Sequence, residues 1–140
     1  LLFMDLDHFK QINDQFGHIT GDQYLQHFVR ICSEMFAEKA TLYRFGGDEF
    51  VLLYPGRIAP EEIQLIRQCP QWENNAPCPF HNVSIGCLHC RPPHKSAEEI
   101  LRKADRKMYQ QKLAQRKEMP AKTVQEQLSP DLPPDHKIKE

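Results

Sequence analysis

The chain has no apolar run near the roughly 20 residues that a membrane-spanning helix needs, and no secretory leader opens it. Charge of one sign is also scarce: 18 Lys and Arg stand against 19 Asp and Glu, a net charge of −1. That balance disfavours a broad nucleic-acid-binding surface and makes a small charged ligand the easier partner. Glycine is sparse, six in 140 residues, and two of the six are adjacent at Gly46-Gly47. The one tryptophan, Trp72, falls in a stretch rich in proline and asparagine, residues 70–79, that reads as a loop. Five cysteines are present, and Cys78, His81, Cys87, His89 and Cys90 lie close enough in sequence to raise the question of zinc. Cys87 and Cys90 fall on one predicted strand, where their spacing turns the side chains to opposite faces, so reduced thiols in a cytoplasmic domain are the expectation. The length suits a single core of ordinary size. No methionine precedes Leu1, which opens directly in an apolar strand, so the chain is expected to be a fragment whose parent is free to carry a membrane anchor.

What is present begins with the glycine pair. Leu42 to Phe45 and Phe50 to Tyr54 are largely apolar or aromatic, and Gly46-Gly47 between them supplies the positive φ angles of a two-residue hairpin turn. Asp48 and Glu49 follow at once, beside backbone that carries no side chains, where a bulky nucleotide has room to approach. Taken alone, the same pattern also describes an ordinary solvated hairpin tip.

A second acidic segment shifts that balance. Leu1-Leu2-Phe3-Met4 reads as a strand buried on both faces and runs into Asp5-Leu6-Asp7. The period of two places Asp5 and Asp7 on one side with Leu6 opposite. Ligands in α/β sheets gather beyond the carboxyl ends of strands, so Asp5 and Asp48 are candidates to share a hard cation such as magnesium.

The other elements follow from pattern. Leu25, Phe28, Cys32 and Met35 repeat at helical spacing and predict an amphipathic helix from about Asp22 to Phe36. A shorter helix is expected over 60–69, with Pro60 in its first turn. Val83 to Cys90 reads as a strand, and Ser96 with Glu99 makes a capping box for a last helix running to about Lys117. Glu118 to Glu140 holds four prolines and little apolar material and is expected to be disordered. The order βαβ, hairpin, α, β, α implies an α/β fold.

The ordered segments Asp5-Leu6-Asp7-His8-Phe9-Lys10-Gln11-Ile12-Asn13-Asp14, Gly17-His18, Gly21-Asp22, Arg44 to Phe50, Val83-Ser84-Ile85-Gly86 and Ala104-Asp105 with Met108-Tyr109 and Lys112 resemble those of GGDEF domains, the diguanylate cyclases. The resemblance covers residues 1–117, a GGDEF domain lacking its first helical segment. It implies a palm-like fold related to adenylyl cyclases and polymerases, with a central antiparallel-containing sheet flanked by helices. It implies the condensation of two GTP into cyclic di-GMP with release of two pyrophosphates, across a homodimer, with two Mg2+ or Mn2+ ions per active site. An upstream sensor domain is expected to be missing, and no nucleic-acid partner is implied.

The same resemblance assigns roles. Asp5, Asp48, Glu49 and the main-chain carbonyl of Leu6 match the family's metal ligands, and Glu49 also matches the residue that activates the ribose 3′-hydroxyl. Asp7 matches at most a brace for the loop. Asn13 and Asp22 match the guanine readers, a sensible chemistry because a carboxylate accepts from the N1 and N2 donors that adenine lacks. The bland alternatives are a helix N-cap for Asp22 and a turn for Asn13. His8, Phe9 and Lys10 open a short helix whose free amides suit phosphates, and Lys112 and Arg116, one turn apart, match the basic pair for the triphosphate. A solvated helix face is the ordinary reading of such a pair, and Gln115 stands where the family usually has glycine. Ala37-Glu38-Lys39-Ala40 replaces the family's Arg-x-x-Asp product-inhibition site, so that site is expected to be absent. The competing function is a catalytically silent GTP-binding module that tunes an attached domain. Hybrid dinucleotides are a third possibility, against which Asp22 argues.

Overall fold

The structure, a computed structural model, describes residues 1–93 and 96–118. The expected tail, from residue 119 onward, and His94 lie outside the described residues. Among the described residues four strands form one sheet: β1 (Leu2–Leu6), β2 (Thr41–Gly46), β3 (Glu49–Leu53) and β4 (Val83–Cys87). Their spatial order is β2-β3-β1-β4, and every pairing is antiparallel. The α-helices among the described residues are α1 (Phe9–Phe16), α2 (His18–Phe36), α3 (Pro60–Gln68) and α4 (Ala97–Glu118). The α/β reading, with helices flanking an antiparallel sheet, holds. None of the described helices is long and apolar enough to cross a membrane.

Period-two alternation sorts β1 into two layers. Leu2, Met4 and Leu6 turn to the face covered by α1 and α2, where they join Tyr24, Leu25, Phe28, Ile31, Phe50, Leu52, Val83 and Ile85 in the main core. Phe3 turns the other way and meets Val51 with Ala104 and Met108 of α4. Asp5 and Asp7 continue the Phe3 side, so the acidic end of β1 faces the α4 layer.

Several local expectations are corrected. The hairpin turn is Gly47-Asp48, not Gly46-Gly47, because Gly46 remains in β2 and pairs with Glu49 across a register shift that leaves Phe45 as the extra residue of a bulge. Of the two glycines only Gly47 needs positive φ, at 44°. α2 starts at His18 rather than Asp22, since Gly17 at φ 86° breaks the chain between α1 and α2 and the helix begins immediately after it. β4 ends at Cys87, so Cys90 lies beyond the strand and the opposite-faces argument loses its premise. The segment 70–79 is not simply a surface loop: Pro70–Glu73 is a 3-10 turn that buries Trp72 at 2% exposure, stacked between Phe28 and Phe80. Its indole donates to the Ile66 carbonyl at 2.6 Å, and the Trp72 carbonyl lies 2.9 Å from the buried His27 ring. The N-cap half of the expected capping box forms, with the Glu99 amide donating to Ser96 Oγ at 3.2 Å.

Candidate active site

Strand register assembles the acidic end. β1 and β3 pair so that Asp5 stands directly opposite Glu49, and the Leu6 amide donates to the Asp48 carbonyl at 3.1 Å. Opposed residues of an antiparallel pair project to the same face, so two carboxylates meet where like charges repel. Asp48 sits in the turn beside them, partly buried as Asp5 and Glu49 are.

α4 completes the group. Lys112 hydrogen-bonds Asp5 Oδ1, and its ammonium lies 3.5 Å from Asp7 Oδ1. One cation touching both aspartates requires them to share a side, as the sequence period predicted, and Lys112 is therefore no solvated face residue. Asp7 is itself buried and accepts from Ser84 Oγ at 2.7 Å. Ser84 was overlooked in the sequence; its signal is a hydroxyl on the inward side of an otherwise apolar strand. The Arg116 side chain lies outside the described residues, while Gln115 is half-buried.

Electrostatics mark this cluster as short of positive charge. Burial is the largest cause that raises the Asp5 pKa above the ordinary carboxylate value, with Asp48 and Asp7 adding to it and Lys112 opposing. Burial also raises Glu49, followed by the fields of Asp5, Asp48 and Asp105. Asp105, an α4 residue quoted above only as part of a motif, is thus a further charge felt at Glu49. Burial works against the Lys112 ammonium, but its bond to Asp5 and the fields of both aspartates outweigh that, and its pKa is raised. The donors at this end, the carboxylates of Asp5, Asp48 and Glu49 with the Leu6 carbonyl, are all oxygens, which suits magnesium or manganese rather than a soft metal. Among the described residues no three His, Cys, Asp or Glu side chains converge tightly enough to enclose an ion by themselves. Oxygen donors of this kind suit a cation that keeps several positions for water and phosphate oxygens, which is the habit of magnesium.

Next to it, His8 adopts the left-handed conformation at φ 63° and leads into α1 without a side-chain cap, leaving the first amides of the helix without a side-chain acceptor. Phe9 is half-buried and Lys10 exposed. His81 brings its ring to 5.6 Å from that of His8. Burial, then the nearby His8, lowers the His81 pKa.

Asn13 and Asp22 come from the two helices joined at Gly17. Asn13 is partly buried in α1, and its carbonyl accepts from the Gly17 amide at 2.9 Å. Asp22 is exposed on α2, in the helix interior rather than at its cap, so the N-cap alternative is excluded. Ala37–Lys39 forms a 3-10 turn, and Ala40 follows in extended conformation.

The model of the family described as "Diguanylate cyclase, GGDEF domain" matches residues 1–118. The chain is 37% identical over 119 residues to "Diguanylate cyclase DgcN" of Escherichia coli (strain K12), a match covering 80% of this chain and 29% of that protein. It is 35% identical over 109 residues to "Cyclic di-GMP phosphodiesterase PdeB" of Shewanella oneidensis, covering 74% of this chain and 13% of that protein. The chain thus spans under a third of the length of either relative. Among solved structures, the GGDEF domain of DgcB from Caulobacter crescentus in complex with c-di-GMP is similar at a TM-score of 0.66 and 27% identity, over 81% of this chain and 71% of that one.

Proposed function

Because the chain belongs to the GGDEF family, we propose that it is the catalytic domain of a diguanylate cyclase, joining two GTP molecules into cyclic di-GMP across a dimer of such domains. The observation that carries this reading is the register placing Asp5 opposite Glu49 beside Asp48, with Lys112 on the same face. Asp5, Asp48, Glu49 and the Leu6 carbonyl would hold divalent metal, two ions per site. When bound, that metal supplies a lowered pKa for the ribose 3′-hydroxyl and positive charge for the α-phosphate.

The chain's own groups divide the remaining work. Glu49, opposite Asp5 at the acidic end of the hairpin, would receive the 3′-hydroxyl proton. The freed 3′-oxygen bonds to the α-phosphorus of the GTP on the partner domain, and the bond to pyrophosphate breaks; two such events close the ring and release two pyrophosphates. The first amides of α1, from His8 to Lys10, with Lys112 and Arg116, hold the triphosphate. Lys112 holds Asp5 and Asp7 in this structure and is positioned to exchange one of those contacts for a phosphate oxygen. Asn13 and Asp22 read guanine. Ala37 and Ala40 offer no arginine-aspartate clamp, so product inhibition through that segment is absent. The reading places the domain in the cytoplasm with its substrate, and an upstream segment as the source of dimerisation and signal.

The likeness to a protein named as a phosphodiesterase favours one second reading, a GGDEF module that binds GTP without turning it over. Nucleotide analysis of GTP incubated with magnesium or manganese and the full-length protein separates the two. Cyclic di-GMP formed by the native sequence and lost, by about a thousandfold, in Glu49→Gln supports the cyclase. GTP binding without product in a dimeric full-length protein would establish the silent module instead.

A further inference from the structure

Glycine inside a helix is costly, because alanine at the same place gives up less backbone entropy. Gly21 is such a residue: it sits in the first turn of α2, its amide donating to the Gly17 carbonyl at 3.1 Å, and its φ is not left-handed. Backbone conformation therefore does not call for it. Space does. A Cβ built on Gly21 would fall 1.9 Å from Asn13 Oδ1 and 3.0 Å from Asn13 Cγ, while the next neighbour, Phe9 Cζ, stands at an ordinary 3.5 Å.

The collision is thus with the end of one side chain and with no backbone atom. An alanine here would be accommodated by turning the Asn13 carboxamide away, leaving α1 and α2 where they are. We infer that Gly21 is a specificity-determining positioning residue: by lacking a Cβ it leaves room for the Asn13 carboxamide against α2, at the residue that precedes Asp22 in the chain, so that the two side chains read one purine edge together. This rests on the guanine-reading role proposed above for Asn13 and Asp22. Two groups must be fixed relative to each other to tell guanine from adenine, and a hydrogen-bonding site discriminates only if its polar groups are held in place.

The test compares binding of non-hydrolysable GTP and ATP analogues, with magnesium, by calorimetry on the full chain carrying Gly21→Ala, Asn13→Ala or both, with thermal melts alongside. Gly21→Ala is expected to melt at or above the wild-type temperature while its preference for the guanine analogue falls about tenfold. Asn13→Ala should lose a similar factor, and the double variant no more than either single change, because both act through the same carboxamide. Wild-type preference in Gly21→Ala, with the preference lost in Asn13→Ala, overturns the positioning role alone. Wild-type preference in Asn13→Ala overturns the guanine reading and this inference with it. A Gly21→Ala protein that unfolds while the double variant folds also overturns it, since the contact would then serve the fold.

Discussion

The two faces of the sheet divide the labour of this domain. The face under α1 and α2 carries nearly all the buried apolar bulk, from Leu2 and Met4 through Phe28 to Trp72. Among the described residues the α4 face has a smaller core of Phe3, Val51, Ala104 and Met108, with Leu1, Leu88 and Leu101 partly buried against it, and it opens into an apolar groove of about 680 Å³ bordered by Tyr43, Phe45 and Leu53. Yet the thin face holds Asp5, Asp7, Glu49 and Lys112 of the candidate site. Burying large aromatics stabilises by several kcal/mol per residue, whereas clustered carboxylates oppose folding. A fold with both is easiest to build when the apolar layer supplies stability on one side and the acids gather on the other.

Trp72→Ala should be the strongest way to separate the two faces. Truncating a fully buried indole costs about 3–5 kcal/mol, read as a drop in unfolding free energy by urea titration. At temperatures where the variant remains folded, the Lys112 contacts are untouched and nucleotide binding should persist. Binding lost in step with stability would show that the faces are not separable.

Gly86→Ala is the complementary change and a smaller one. A Cβ at Gly86 would lie 2.2 Å from the Ala104 carbonyl oxygen and 2.4 Å from the Met108 amide nitrogen, both backbone atoms of α4. The helix must lift, at about 1–3 kcal/mol. Lys112 lifts with it, so GTP turnover should fall far more than the stability loss explains. A variant that loses stability but keeps full activity would mean that α4 does not set the position of Lys112. Gly21 and Gly86 thus differ in what they spare, one a side-chain rotamer and the other a helix backbone.

The same division explains what could be read from the sequence. β1, the hairpin strands and α4 announce themselves through local patterns, apolar runs and a capping box, and period two alone put Asp5 and Asp7 on one side. Trp72 misled because its burial depends on Phe28, Ile66 and Phe80, partners brought to it by tertiary structure. The early start of α2 was hidden because Gly17 separates two helices with a single residue, where a longer turn is the usual expectation. Lys112 was legible as a motif residue, but its pairing with Asp5 spans 107 positions and no periodicity reports it. Gly21 read as part of a signature; that its hydrogen replaces a clash is a fact of three dimensions.

The smallest expected effects are in pH, and each face should have its own window. On the thick face, burial pushes the Cys32 thiol from 9.0 up to about 12. The unfolded chain then releases that proton first, so stability present below pH 9 is lost as pH rises towards 12, by about 1 kcal/mol at pH 10, and Cys32→Ala should remove that part of the alkaline slope. On the thin face Asp5 and Glu49 are raised from 3.8 and 4.5, so the native state again holds its protons more tightly than the unfolded chain. Their contribution is lost as pH rises from those values through the raised native ones, in the acid range, while Lys112, raised from 10.5, stays charged throughout. Partial exposure to water keeps this effect below that of Cys32. Thermal melts across the acid range should show the slope in wild type and not in the double variant Asp5→Asn, Glu49→Gln. Magnesium should raise wild-type stability most at neutral pH, where protons no longer compete for the same oxygens. If the double variant instead removed a gain in stability with rising pH, the two carboxylates would be favoured as anions by the fold, and the thin face would not be the one that waits for a cation.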